Sequence, residues 1–171
     1  MRADAGDANP QVFGLEEYIR QDEPDKAKKA EAWAVAIGLQ DVDGLQVSDY
    51  LLRTAQQNIE GTLTIGQVQS RISSYYERRG ERTQLELESE EADVVSARIA
   101  KILGERAFSF SPTTLKSIHA QLFDGLIEGA GTYRTYNITK KEWVLKGETV
   151  LYAPWQDITS TLEYDFDQEK A

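Results

Sequence analysis

The stretch from Leu63 to Tyr76, LTIGQVQSRISSYY, reads as a loop residue, a cap and an amphipathic helix. Thr64 stands at the N-cap, and Gln67 at the third helical position completes a capping box. Leu63 and Val68 flank the cap as a hydrophobic staple. Val68, Ile72, Tyr75 and Tyr76 then fall on one apolar face at helical spacing. The same grammar repeats on both sides, so the fold class expected is mainly α.

Upstream, Asp22, Glu23 and Pro24 start a helix running to Leu39, since a first helical turn tolerates acidic charge and a missing N–H. Ala34, Val35, Ala36 and Ile37 are its expected apolar part. Ser48 caps a second helix through Tyr50, Leu51, Leu52, Ala55 and Ile59, with Val47 and Leu52 as its staple, and Gly61 stops it. Downstream, the charged run from Arg78 to Glu90 lacks large apolar periodicity and reads as a linker. Ser89 is the expected cap of a helix carrying Val94, Val95, Ala97, Ile99, Ile102 and Leu103 and ending at Gly104. Ser111 and Pro112 open another, stapled by Phe110 and Leu115, with Leu115, Ile118, Leu122 and Phe123 as its buried stripe.

Beyond Tyr133 the pattern changes. Trp143–Leu145 and Thr149–Tyr152 are short, aromatic and β-branched around Lys146-Gly147-Glu148, the signature of a β-hairpin with Gly147 at positive φ. Pro154 introduces a last helix with Ile158, Leu162 and Phe166. The division expected is a tail over 1–22, a three-helix segment over 23–80, a linker over 81–88 and a second unit over 89–171, its hairpin at about 139–153.

Composition narrows the function. The 171 residues carry a formal net charge of −10, with 40% hydrophobic and 28% charged residues, which suits a globular chain with a core. Such a balance repels phosphate backbones, and no basic patch interleaved with aromatics offsets it, so nucleic acid is not an expected partner. The absence of cysteine removes disulfides and thiol chemistry, and with His119 as the only histidine no metal site is expected. No apolar run reaches the roughly 20 residues a membrane span needs. A cytoplasmic location is the default.

The segment Leu115–Leu162 is similar to the first half of the Fic domain. Ser117-Ile118-His119 through Leu122-Phe123 resembles the helix opening that core. Ala130-Gly131-Thr132-Tyr133-Arg134 resembles the alanine-glycine-x-tyrosine-arginine element that follows, and Asn137-Ile138, the hairpin and the last helix continue the match in order. Residues 34–76 resemble the small helical antitoxin of bacterial Fic toxins, through Asp43-Gly44, Ser48, Gly61 and Thr64, fused here ahead of a partial Fic core. The fold class expected is therefore a helical, partial Fic-like core with one projecting β-hairpin, preceded by an antitoxin-like three-helix segment.

The resemblance implies a protein adenylyltransferase, a nucleotidyltransferase moving AMP from ATP, with Mg²⁺, onto target hydroxyls. Its signature His-x-Phe-x-Asp/Glu-Gly-Asn-Gly-x-x-Arg does not occur in residues 1–171, so no catalytic residue is expected here and the chain alone should be inactive. His119 through Phe123-Asp124-Gly125 is a decoy, because its spacing is wrong and His119 lies on an apolar stripe. The resemblance makes the hairpin a flap on which a target segment adds as a strand, with Lys141, Glu142, Trp143, Val144 and Leu145 at that edge. Packing of Trp143, Val144 and Tyr152 onto their own domain is the competing reading, favoured for Tyr152. The family's inhibitory Ser/Thr-x-x-x-Glu-Gly/Asn helix aligns with Leu39–Gly44, where Asp43 replaces glutamate, and Glu60-Gly61 is a second candidate. The chain is expected to be a piece of a longer Fic enzyme. The alternative is a naturally short, non-enzymatic regulator or binding module. Uncovered apolar helix faces predict self-association, or completion by the missing Fic half or by a Fic partner chain.

Overall fold

The computed structural model describes residues 24–105, 109–141, 146–147 and 149–169. The chain is mainly helical and divides into two compact units, Met1–Arg106 and Ala107–Ala171.

In the first unit four helices share one core. Helix α1 (Pro24–Val42) presents Ala30, Trp33, Ala36 and Ile37 as a buried stripe at helical spacing. Val35, expected among its apolar part, is 45% exposed, and Trp33 anchors the stripe instead. Helix α2 (Asp49–Ile59) is capped by Ser48 and buries Leu51, Ala55 and Ile59. Helix α3 (Ile65–Glu77) has the capping box expected of Thr64 and Gln67 and buries Val68, Ile72 and Tyr76. Helix α4 (Gln84–Gly104) packs on α1 and α3. Its buried face is small-residued, with Ala92, Ser96, Ala97 and Ala100, which lets α1 approach closely. Full burial of each large side chain here, such as Leu51 or Ile72, contributes about 2 kcal/mol.

The linker expected over 81–88 is a helix start. Thr83, not Ser89, is the N-cap of α4, and Thr83 and Glu86 form a second capping box. The first two turns of α4 are held by polar pairing: Arg79 bonds Glu86, Arg82 bonds Glu90 and Gln84 bonds Glu88. Leu85 stays 70% exposed, which is why an apolar-periodicity reading misses these turns. Helix α4 belongs with the first unit, so the division falls near residue 106 instead of at 81–88.

The second unit holds helix α5 (Pro112–Phe123), a short antiparallel pair and helix α6 (Ile158–Glu169), which a 3-10 turn (Trp155–Asp157) precedes. Strand β1 (Thr139–Lys141) pairs with β2 (Thr149–Leu151) in the register Thr139–Leu151, Lys140–Val150 and Lys141–Thr149. Gly147 has the positive φ expected of it, +82°, beside Lys146 at +56°. The first strand lies N-terminal to the expected Trp143–Leu145 segment, and Glu142, Trp143, Val144 and Leu145 lie outside the described residues. The stripe Leu115, Ile118, Leu122 and Phe123 is not buried: no described residue of α5 or α6 is, and Leu115 is 41% exposed.

Candidate functional site

The second unit is organised around the segment 130–137. Gly131 sits at φ +79° against α5, where an added Cβ would stand 2.7 Å from the Ala120 Cβ and 3.2 Å from the Lys116 carbonyl oxygen. Only glycine fits both that conformation and that approach. Its N–H donates to the Nδ1 of His119 at 2.8 Å, and the His119 ring packs on Phe123 at 5.0 Å. His119 is thereby a structural acceptor that fastens the loop to the helix, as its place on the apolar stripe leads one to expect.

Arg134 reaches across the base of the hairpin, donating to the carbonyls of Tyr136, at 2.8 Å, and Ala153. Asn137 accepts from the Trp155 N–H at 2.9 Å, fixing where the last helical segment begins. Lys116 lies over the Tyr133 ring at 5.2 Å. The Tyr133 hydroxyl is buried and has no hydrogen-bond partner among the described residues. Ala130 is half-buried beside this clamp. Gly131, Tyr133, Arg134 and Asn137 are thus brought to one place, the junction of α5, hairpin and α6.

The two inhibitory candidates belong to the first unit. Asp43 and Gly44 form the exposed turn that ends α1, with Gly44 at φ +75°. Glu60 is the C-cap of α2, also exposed, and the Gln56 amide one turn earlier donates to its carboxylate at 3.4 Å.

Two buried polar constellations carry no signal in hydrophobic periodicity. The Asp93 carboxylate on α4 is fully buried and accepts from the Ser48 N–H at 2.8 Å, from the Ser48 hydroxyl and from the Tyr76 hydroxyl at 2.7 Å. It ties the start of α2 and the end of α3 to α4. Burial raises its pKa, and the bonds from Ser48 and Tyr76 offset part of that rise. Burial, and then the adjoining carboxylate, push the Tyr76 phenol well up. In the second constellation Trp33 Nε1 donates to Asn58 Oδ1 at 2.9 Å, and Asn58 Nδ2 donates to the Leu63 carbonyl at 2.9 Å. The signal available in sequence is an acid set between Ala92 and Val94-Val95, which only a partner can make tolerable.

No group of three His, Asp or Glu side chains placed to hold a metal ion occurs among the described residues. The signature to which the resemblance assigns ATP and Mg²⁺ does not occur in residues 1–171. No described helix is long and apolar enough to cross a membrane. Comparison with protein-family models, with curated proteins and with solved structures found no match.

Proposed function

We propose that the chain is the N-terminal part of a Fic-type, cytoplasmic protein that transfers AMP from ATP to hydroxyl side chains of target proteins. It contributes a target-docking hairpin and a regulatory helical segment and is not itself catalytic. One observation carries the reading. The residues that bear the resemblance act together at one junction, where Gly131 closes on α5, Arg134 clamps the hairpin base and Asn137 sets the following turn. The support lies in the longer-range bonds, Gly131 to His119, Arg134 to Ala153 and Asn137 to Trp155, which tie the segment to the helix before it and to the chain after the hairpin. The junction holds the hairpin by its base, which suits an edge offered to an incoming strand.

Of the two inhibitory candidates, Glu60 fits the role better than Asp43. Its helix carries Gln56, a hydrogen-bonding residue, four positions earlier, where Asp43 has Leu39. Its side chain is also one methylene longer.

The experiment takes the protein from its native source, measures its intact mass against 19.3 kDa and incubates it with target lysate and α- or γ-labelled ATP. A heavier species that passes on the α label and not the γ label is expected, with none passed on by residues 1–171 alone. Transfer of the γ label, or of neither, overturns the reading. A second reading, a non-enzymatic binding module, draws its support from the first unit, whose buried apolar residues form one core. A native mass of 19.3 kDa with no label transferred would favour it.

A further inference from the structure

The first unit carries a second feature that the proposed function does not use. Helices α2 and α3 border an open surface cavity of about 550 Å³, lined by Tyr50 and Tyr75 and by three arginines, Arg71, Arg78 and Arg79. Ser70 and Ser74 complete the lining. Every polar side chain there can donate a hydrogen bond, and none is a carboxylate. In a chain with 29 acidic and 19 basic residues, that is a local reversal of sign. It corrects the expectation that no basic patch is interleaved with aromatics, because the fold brings Tyr50 beside Arg71 and Tyr75.

The arginines are presented by a stiff platform. The Tyr50 and Tyr75 rings stack at 4.1 Å and 4° between planes, and the Arg79 guanidinium lies 4.4 Å from the Tyr75 centroid. Arg79 is engaged by Glu86 at 3.3 Å, whereas among the described residues Arg71 bonds the neutral Gln57 amide, at 3.2 Å, and neither it nor Arg78 has an acidic partner. Among the described residues, these two exposed guanidinium charges have no counter-charge.

Their spacing selects the ligand. Arg71 lies on α3 and Arg78 is its C-cap, seven residues on and about 10 Å along the axis. One phosphate or carboxylate is small against that span. An extended chain of polyproline-II type repeats every three residues, about 9 Å, so acidic side chains at i and i+3 match the two arginines. A long nucleic acid matches less well, because its remaining phosphates would meet a molecule of net charge −10. We infer that the Arg71–Arg78 face of α3, with its tyrosine platform, is a docking surface for an extended acidic peptide segment of a partner protein.

The test titrates the whole chain against a short fluorescein-labelled peptide with glutamate at every third position, read by fluorescence anisotropy at low salt. Binding should weaken as salt is added. It should fall about tenfold or more in R71E/R78E, because two exposed ion pairs are lost and two repulsions gained. R71Q/R78Q should fall between. K28E/K101E, which changes net charge equally at exposed positions on α1 and α4, should bind as the parent does, and circular dichroism melts of all variants should agree. No binding, or equal loss in K28E/K101E, overturns the inference. A single-stranded oligonucleotide of equal charge binding as tightly or more tightly also overturns it, in favour of a general polyanion site.

Discussion

The two units are built from similar helices and differ in what those helices cover. In residues 24–105, Trp33, Leu51, Ile59, Val68 and Ile72 are each no more than 1% exposed, and the polar groups among them are paired. In the second unit no described apolar side chain is buried. Phe110, Leu115, Ile127 and Trp155 are all exposed, and Phe110 meets Phe166 at 4.4 Å as a contact between half-covered rings. Its order comes from directional bonds: the His119–Gly131 bond, the Arg134 clamp and the Asn137 cap. Hydrogen bonds add only about 1 kcal/mol each, net of water. Among the described residues, apolar burial holds the first unit and such bonds hold the second.

Substitutions should divide along the same line. The largest effect is expected from Trp33→Ala, which opens a cavity at the centre of the first core and strands the Asn58 carbonyl. A loss of about 4 kcal/mol in urea unfolding is expected. A loss under about 1 kcal/mol would mean that the first core is no better packed than the second unit.

Next comes Asp93→Ala, at about 3 kcal/mol, because the Ser48 N–H and the Tyr76 hydroxyl lose their shared acceptor. The same residue gives a pH dependence of definite sign. With a folded-state pKa above its unfolded value, Asp93 contributes stability below the ordinary carboxylate range, and that stability is lost as pH rises through the folded value. Glu86 runs the other way. Its pKa is lowered by bonds from Thr83, so its contribution is present above the unfolded value and fades as pH falls through the folded one. Asp93→Asn should flatten the decline in melting temperature with rising pH across the acidic range. An unchanged slope would place the titration elsewhere.

In the second unit, Gly131→Ala should cost about 2 kcal/mol, from the positive φ and the clash with Ala120. Loss of amide protection in α5 is the readout. The smallest change is expected for Leu115→Ala, at about 0.5 kcal/mol or less, since that side chain is 41% exposed. A cost of 2 kcal/mol or more there would show that something already covers the helix.

Much of the first unit is legible in the sequence because caps and periodicity agree. Thr64-x-x-Gln67, Ser48 and Gly61 each mark a boundary where the helices begin or end. The start of α4 escapes such a reading because Thr83-Gln84-Leu85-Glu86 carries its signal in capping and charge, while the apolar pattern begins only at Ala92. Trp33 escapes it because the stripe residues on either side of it, Ala30 and Ala36, are alanines, whose small side chains weaken the periodic signal. The apolar stripe of α5 is real as a pattern and misleading as burial, since periodicity reports which face is apolar and not whether anything lies on it. The Asp93 network joins residues up to 45 positions apart, which no local window can see.

Hydrogen exchange followed by mass spectrometry on the monomeric chain tests the contrast most directly. Amides of α1 to α4 should exchange slowly and as one cooperative unit, while those of α5, the hairpin and α6 should exchange orders of magnitude faster. Comparable slow exchange in both units at monomer concentrations would contradict the account, because no described apolar side chain of the second unit is buried to provide it.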